Sequence, residues 1–197
     1  MKDPMLESLF VSTGVVALAE IGDKTQLLAF ILAARFKKPL PIIAGILLAT
    51  IVNHGLAGAL GAWITASVSP EVLRWVLGAS FIAMAIWTLI PDKIEEEETQ
   101  VAQKLGVFGA TLITFFLAEM GDKTQIATVA MAAHYATPLL VVIGTTLGML
   151  IADVPAVFVG DRLANKIPMK LVHSIAAGIF AVLGVATLLG AGSRLGF

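Results

Sequence analysis

Apolar residues run along this chain in six long blocks, roughly 6–34, 39–66, 72–90, 105–133, 138–160 and 170–191, separated by short polar segments. Each block can supply the ~20 apolar residues that cross a hydrocarbon core of about 30 Å. Inside lipid no water satisfies backbone N–H and C=O groups, so the spans are expected to be helices. A transmembrane barrel would show segments of about ten residues with alternating polarity, and the chain has no such pattern. Pro39, Pro41 and Pro138 mark the turns after the first and fourth blocks, because proline has no N–H for a continuing helix. The pattern predicts an all-α membrane protein with six transmembrane helices.

The pattern also repeats. Shifted by 99 residues, Ala19-Glu20 falls on Ala118-Glu119, and Gly22-Asp23-Lys24-Thr25-Gln26 falls on Gly121-Asp122-Lys123-Thr124-Gln125. The match runs on without a gap through Ala33-Ala34, Pro39, Gly45, Leu48, Ala57, Gly61, Phe81 and Thr88-Leu89. One ungapped offset through three spans points to duplication: a first three-helix repeat over 1–90, a linker over 91–104 and a second three-helix repeat over 105–197. After three crossings the second repeat enters from the opposite side. The repeats are therefore expected to be inverted, related by a pseudo-two-fold axis in the membrane plane.

Loop charges orient the chain through the positive-inside rule. Arg35, Lys37, Lys38, Lys93, Lys104, Arg162, Lys166 and Lys170 fall on one side, and only Lys2, Arg74 and Arg194 on the other. The first side is expected to be cytoplasmic, with both termini outside and the acidic linker, Glu95 to Glu98, read as a solvated cytoplasmic segment. Ala17-Leu18-Ala19 resembles a signal-cleavage site. However, Asp3 and Glu7 spoil the positive leader that one needs, and a matching run recurs at Gly106–Ala118.

Composition sharpens the class. Apolar residues make up 58% of the 197 positions and charged residues 14%, against roughly 45–50% and 25% in soluble domains. A net charge of −1 offers no basic face for nucleic acid. With no cysteine, disulfides and thiolate metal sites are excluded.

The candidate chemistry lies at mid-span. Glu20 is central to block 6–34 and Glu119 to block 105–133. A charged side chain at that depth costs at least ~2.5–3.5 kcal/mol, so such groups are functional candidates by default. Glu20 and Asp23 stand i,i+3, a spacing that puts both carboxylates on one face if the helix is continuous. Thr25 and Gln26, with Thr124 and Gln125, extend each polar patch and could supply neutral oxygens. Lys24 and Lys123 sit about 100° round from the adjacent aspartates. They are expected to reach a neighbouring helix or the opposite motif, positioning carboxylates or standing in for charge when the site is empty. Gly22 and Gly121 weaken the helix inside each motif, which allows close approach, a bend or a break.

The pseudo-two-fold axis would gather Glu20, Asp23, Glu119 and Asp122 around one cavity. Such an oxygen-rich set suits Ca²⁺, Mg²⁺ or Mn²⁺ rather than Zn²⁺ or Cu⁺. Four carboxylates against two ammonium groups leave −2, which one divalent ion or two protons would neutralise, so the same groups can hold either. The structural alternative is that these residues pair into salt bridges that lock the halves together. Asp153 and His54, aligned by the same offset, are candidates for a proton relay or an outer ligand, or are polar groups bonded between helices. The glycine-rich run from Gly55 to Gly61 reads as close helix packing, and Trp63, Trp75 and Trp87 as interface anchors or lipid-facing bulk.

The pair Glu20-Ile21-Gly22-Asp23-Lys24-Thr25 and Glu119-Met120-Gly121-Asp122-Lys123-Thr124 resembles the doubled E-x-G-D-[KR]-[ST] signature of the GDT family. These are manganese/calcium cation/proton exchangers with Golgi, chloroplast and bacterial members. The resemblance covers nearly the whole chain and implies that Mn²⁺ or Ca²⁺ leaves the cytosol in exchange for protons, with Glu20, Asp23, Glu119 and Asp122 mattering most. The expectation is a secondary transporter working by alternating access in a bacterial inner membrane, with metal and protons as substrates and no cofactor. A homo-oligomer is compatible with the sequence. A divalent-cation channel lined by a carboxylate ring is the rival. An enzyme is not expected, since neither HExxH nor a nucleophile–base pattern occurs.

Overall fold

The computed structural model describes residues 4–90, 105–135, 137–159 and 169–190. The linker 91–104, together with Lys2, Arg162, Lys166 and Arg194, lies outside the described residues, as do the side chains of Lys170 and His173. Among the described residues every regular element is helical: α1 (Pro4–Glu20), α2 (Lys24–Phe36), α3 (Pro39–Ser67), α4 (Pro70–Trp87), α5 (Gly106–Glu119), α6 (Lys123–Tyr135), α7 (Pro138–Val159) and α8 (Met169–Leu188). The helices α3 and α4 and the Pro138–Phe158 stretch of α7 are each long and apolar enough to cross a membrane. The pair α1–α2 passes the same test as one unit bent by 68°. The helix α5 and the Ser174–Leu188 part of α8 are apolar but shorter. The protein is an all-helical membrane protein.

The first and fourth apolar blocks are each two helices, which corrects the i,i+3 reading of Glu20 and Asp23. Gly22 and Gly121 adopt φ of 86° and 77°, the left-handed region that L side chains rarely visit. The chain therefore leaves α1 after Glu20 and α5 after Glu119. The N–H of Asp23 donates to the Glu20 carbonyl at 3.1 Å, and that of Asp122 to the Glu119 carbonyl at 3.1 Å. Asp23 then caps α2, its Oδ1 accepting from the Lys24 N–H at 2.8 Å. Such a cap satisfies one of the donors that a helix start leaves free.

Packing crosses between the halves. Helices α1 and α2 lie on α7, α5 and α6 lie on α3, and α4 lies on α8. The 99-residue offset reappears in these contacts. A Cβ added to Gly144 of α7 would meet Ser12 and, at 2.7 Å, the Leu9 carbonyl of α1; one added to Gly45 of α3 would meet Thr111 and, at 3.0 Å, the Phe108 carbonyl of α5. Glycine is what lets these backbones approach, as small residues do at membrane helix interfaces. In the run from Gly55 to Gly61, Gly58 and Gly61 serve the same end, facing Val142 of α7 and the Val129 carbonyl of α6. Phe81 of α4 stacks on Phe180 of α8 with ring centroids 6.4 Å apart, again a pair separated by 99. Trp63 and Trp75 are exposed, and Trp87 packs at the edge of the core.

Candidate metal centre

Both breaks open onto one buried place between the halves. Glu20 ends α1, Asp23 caps α2, Glu119 ends α5 and Asp122 immediately precedes α6. All four carboxylates are buried, none more than 4% exposed. Oxygens of Glu20, Asp23 and Asp122 lie within 4.8 Å of one another. Two of these three belong to the first motif and one to the second. Glu119 lies beside this trio, within electrostatic reach of Glu20, Asp122, Asp153 and Asp23.

The remaining motif residues hold this arrangement. Thr25 Oγ1 donates to Glu20 Oε2 at 2.7 Å, and Thr124 Oγ1 to Glu119 Oε2 at 3.2 Å. One oxygen of each glutamate, Oε1, has no hydrogen-bond partner. Gln26 and Gln125 brace the breaks rather than presenting a spare oxygen. Their Oε1 atoms accept from the Gly22 and Gly121 N–H groups at 2.9 and 2.7 Å. Their amide nitrogens reach the other half: Gln26 Nε2 donates to the Ala152 carbonyl at 2.8 Å, and Gln125 Nε2 to Asn53 Oδ1 at 3.5 Å. Ala152 and Asn53 are themselves 99 residues apart.

The lysines cross as well. Lys123 Nζ lies 2.8 Å from Asp23 Oδ2, and Lys24 Nζ lies 3.7 Å from Asp122 Oδ1. Each ammonium thus serves the aspartate of the opposite motif. Lys123 is fully buried, whereas the Lys24 side chain is 20% exposed.

Asp153 of α7 is fully buried, with neither oxygen hydrogen-bonded, and interacts electrostatically with Glu20. His54 holds the equivalent place on α3, also fully buried and with neither ring nitrogen hydrogen-bonded. Asn53, beside His54 on α3, ties neighbouring helices together. It bridges α5 and α6 by donating to the Phe116 carbonyl at 3.1 Å and accepting from Gln125. The available signal was a polar residue of medium size amid a long apolar run.

The carboxylate trio and its crossed lysines sit where the two motifs meet. The profile of the family described as "Divalent cation/proton antiporter GDT1" matches residues 8–96 and again 107–194. A Vibrio cholerae protein named "Putative manganese exporter" is 51% identical over 184 residues, covering 93% of this chain and 91% of that protein. "GDT1-like protein 3" of Oryza sativa subsp. indica is 30% identical over 209 residues, covering 93% of this chain and 74% of the rice protein. "Protein PAM71-homolog, chloroplastic" of Arabidopsis thaliana is 29% identical, covering 89% of this chain and 57% of that protein. No solved structure matches the chain. With the profile matching once in each half and together over most of its length, this chain belongs to the divalent cation/proton antiporter GDT1 family.

Proposed function

We propose that this protein exports Mn²⁺, with Ca²⁺ as a second substrate, from the cytoplasm in exchange for protons. The observation that carries this reading is the buried trio of carboxylates from both motifs, with oxygens within 4.8 Å. Oxygen ligands without sulfur favour hard divalent ions. Glu20, Asp23, Glu119 and Asp122 bring −4 and Lys24 and Lys123 bring +2, and the difference, −2, equals the charge that one divalent ion or two protons cancel. A carboxylate that binds metal must first lose its proton, so metal and proton compete for the same oxygens. The manganese named for the Vibrio relative supports Mn²⁺ as the first substrate.

In this reading Glu20, Asp23 and Asp122 hold the ion, and Glu119 completes the set as one half moves against the other. Thr25 and Thr124 orient the glutamates, and Gln26 and Gln125 tie each break to the opposite half. Asp153 and His54 are supporting polar groups on the two crossing helices, with Asp153 the nearer candidate to pass protons. The pairs α1–α2 and α5–α6 each make one broken crossing, which gives six spans in two inverted repeats, 1–90 and 105–197. Both termini lie outside, the 91–104 linker is cytoplasmic, and the membrane is the bacterial inner one. Alternating access follows from rocking one repeat against the other around this interface.

The test is uptake of Mn²⁺, Ca²⁺ and Mg²⁺ into proteoliposomes with and without an imposed pH gradient. Exchange predicts Mn²⁺ movement that is driven by the gradient and acidifies the compartment it leaves. Mn²⁺ flux that is equal with the gradient collapsed would favour the channel instead.

A further inference from the structure

Two of the three carboxylates in the trio are already engaged by cations. Asp23 faces Lys123 at 2.8 Å and Asp122 faces Lys24 at 3.7 Å, while Glu20 accepts from the neutral hydroxyl of Thr25 and feels Lys123 at longer range. An ion entering between Glu20, Asp23 and Asp122 therefore competes with two ammonium groups for two of its three ligands. We propose that Lys24 and Lys123 are tethered counter-ions that offset two of the trio's three negative charges when no metal is bound and make it select divalent over monovalent cations. The proposal rests on the exchange reading and adds a source for its selectivity.

At a given distance from a carboxylate a divalent ion gains twice the Coulomb energy of a monovalent one. A monovalent ion carries no more charge than the ammonium it must displace, and the ammonium is covalently attached, so it re-enters without losing translational freedom. A divalent ion brings the charge of both lysines to one point. The order of displacement also follows from the geometry. Lys123 is wholly buried at the shorter distance, whereas Lys24 is partly exposed at the longer one. Lys24 is the ammonium that yields first. Because each lysine comes from the half opposite its aspartate, displacing one also releases a tie between the halves.

The test measures Mn²⁺ binding to the full chain in detergent by Mn²⁺ electron paramagnetic resonance, in about 150 mM NaCl or in choline chloride at equal ionic strength. The parent is expected to bind Mn²⁺ equally in the two salts. Lys24→Gln is expected to bind Mn²⁺ about tenfold more tightly in choline, having lost a nearby positive charge, and to lose most of that gain in sodium. Lys24→Arg, which keeps the charge, should show neither the gain in choline nor the difference between the salts. Lys123→Gln probes the other pair with the same expected signs. Glutamine variants that bind Mn²⁺ no more tightly than the parent, and equally in both salts, would overturn the counter-ion role and leave the lysines as positioning groups. A parent that binds no Mn²⁺ in either salt would overturn the exchange reading itself.

Discussion

Replacing Gly121 by alanine isolates the break from everything around it. Gly121 has a φ of 77°, and a Cβ added there would find nothing within 4 Å. The substitution therefore creates no collision, and its whole cost is the left-handed backbone, about 1–2 kcal/mol for an L residue. Gly14 provides the matched control. It sits inside α1 with ordinary helical backbone, and a Cβ there also meets nothing within 4 Å. Alanine at that site gains up to ~1 kcal/mol of helix propensity. The same methyl in equally open surroundings should thus act with opposite signs, separated by roughly 2–3 kcal/mol, on the order of a hundredfold in the unfolding equilibrium. Unfolding in mixed micelles, followed by tryptophan fluorescence, would measure the difference. Gly121→Ala should also slow Mn²⁺ exchange, because straightening the chain carries Asp122 away from Glu20, whereas Gly14→Ala should not. Shifts of the same sign in both variants, or a Gly121→Ala protein with parental stability and exchange, would refute the claim that the left-handed glycine makes the bend.

Further substitutions test the interface and the site. Gly144→Ala should destabilise the protein by about 1–3 kcal/mol through overpacking, since the new Cβ meets Ser12 and lies 2.7 Å from a backbone carbonyl that cannot rotate away. Gly55→Ala, with nothing within 4 Å, should be tolerated in the same unfolding assay. Glu20→Gln should fold, because its amide oxygen can still accept from Thr25. It should nevertheless weaken Mn²⁺ binding by more than the ~10–100-fold that changes in outer-shell partners of a metal cost, read by Mn²⁺ titration in detergent.

Much of this architecture was legible because membrane insertion imposes strong rules. Helical class followed from backbone satisfaction in lipid, and the glycine in each motif signalled a possible break. The 99-residue offset paired Gly45 with Gly144, and the structure gives the two equivalent contacts with opposite halves. What the sequence left undecided was how the motif spans resolve. An i,i+3 spacing describes Glu20 and Asp23 only along a continuous helix, and a single residue with φ of 86° between them makes the spacing irrelevant. The cap of Asp23 on Lys24 and the grip of Gln26 on the Gly22 N–H exist only after the helix has ended. The left-handed glycine makes that break, and a glutamine bonded to the opposite half braces it.

For the lysines the sequence went further. Their helical angle placed them away from their own aspartates and towards a neighbouring helix or the opposite motif, and the structure pairs Lys123 with Asp23 and Lys24 with Asp122. That crossing has a physical consequence. Each break is braced by a glutamine bonded to the other half, at Ala152 or Asn53, and each aspartate by a lysine from the other half. The carboxylate trio therefore exists only while the halves are in register. A motion of one half against the other that parted these bonds would have to disassemble the trio, and so would change its affinity for any cation bound there. On the proposed exchange reading, opening the site and releasing its ion would be the same structural event.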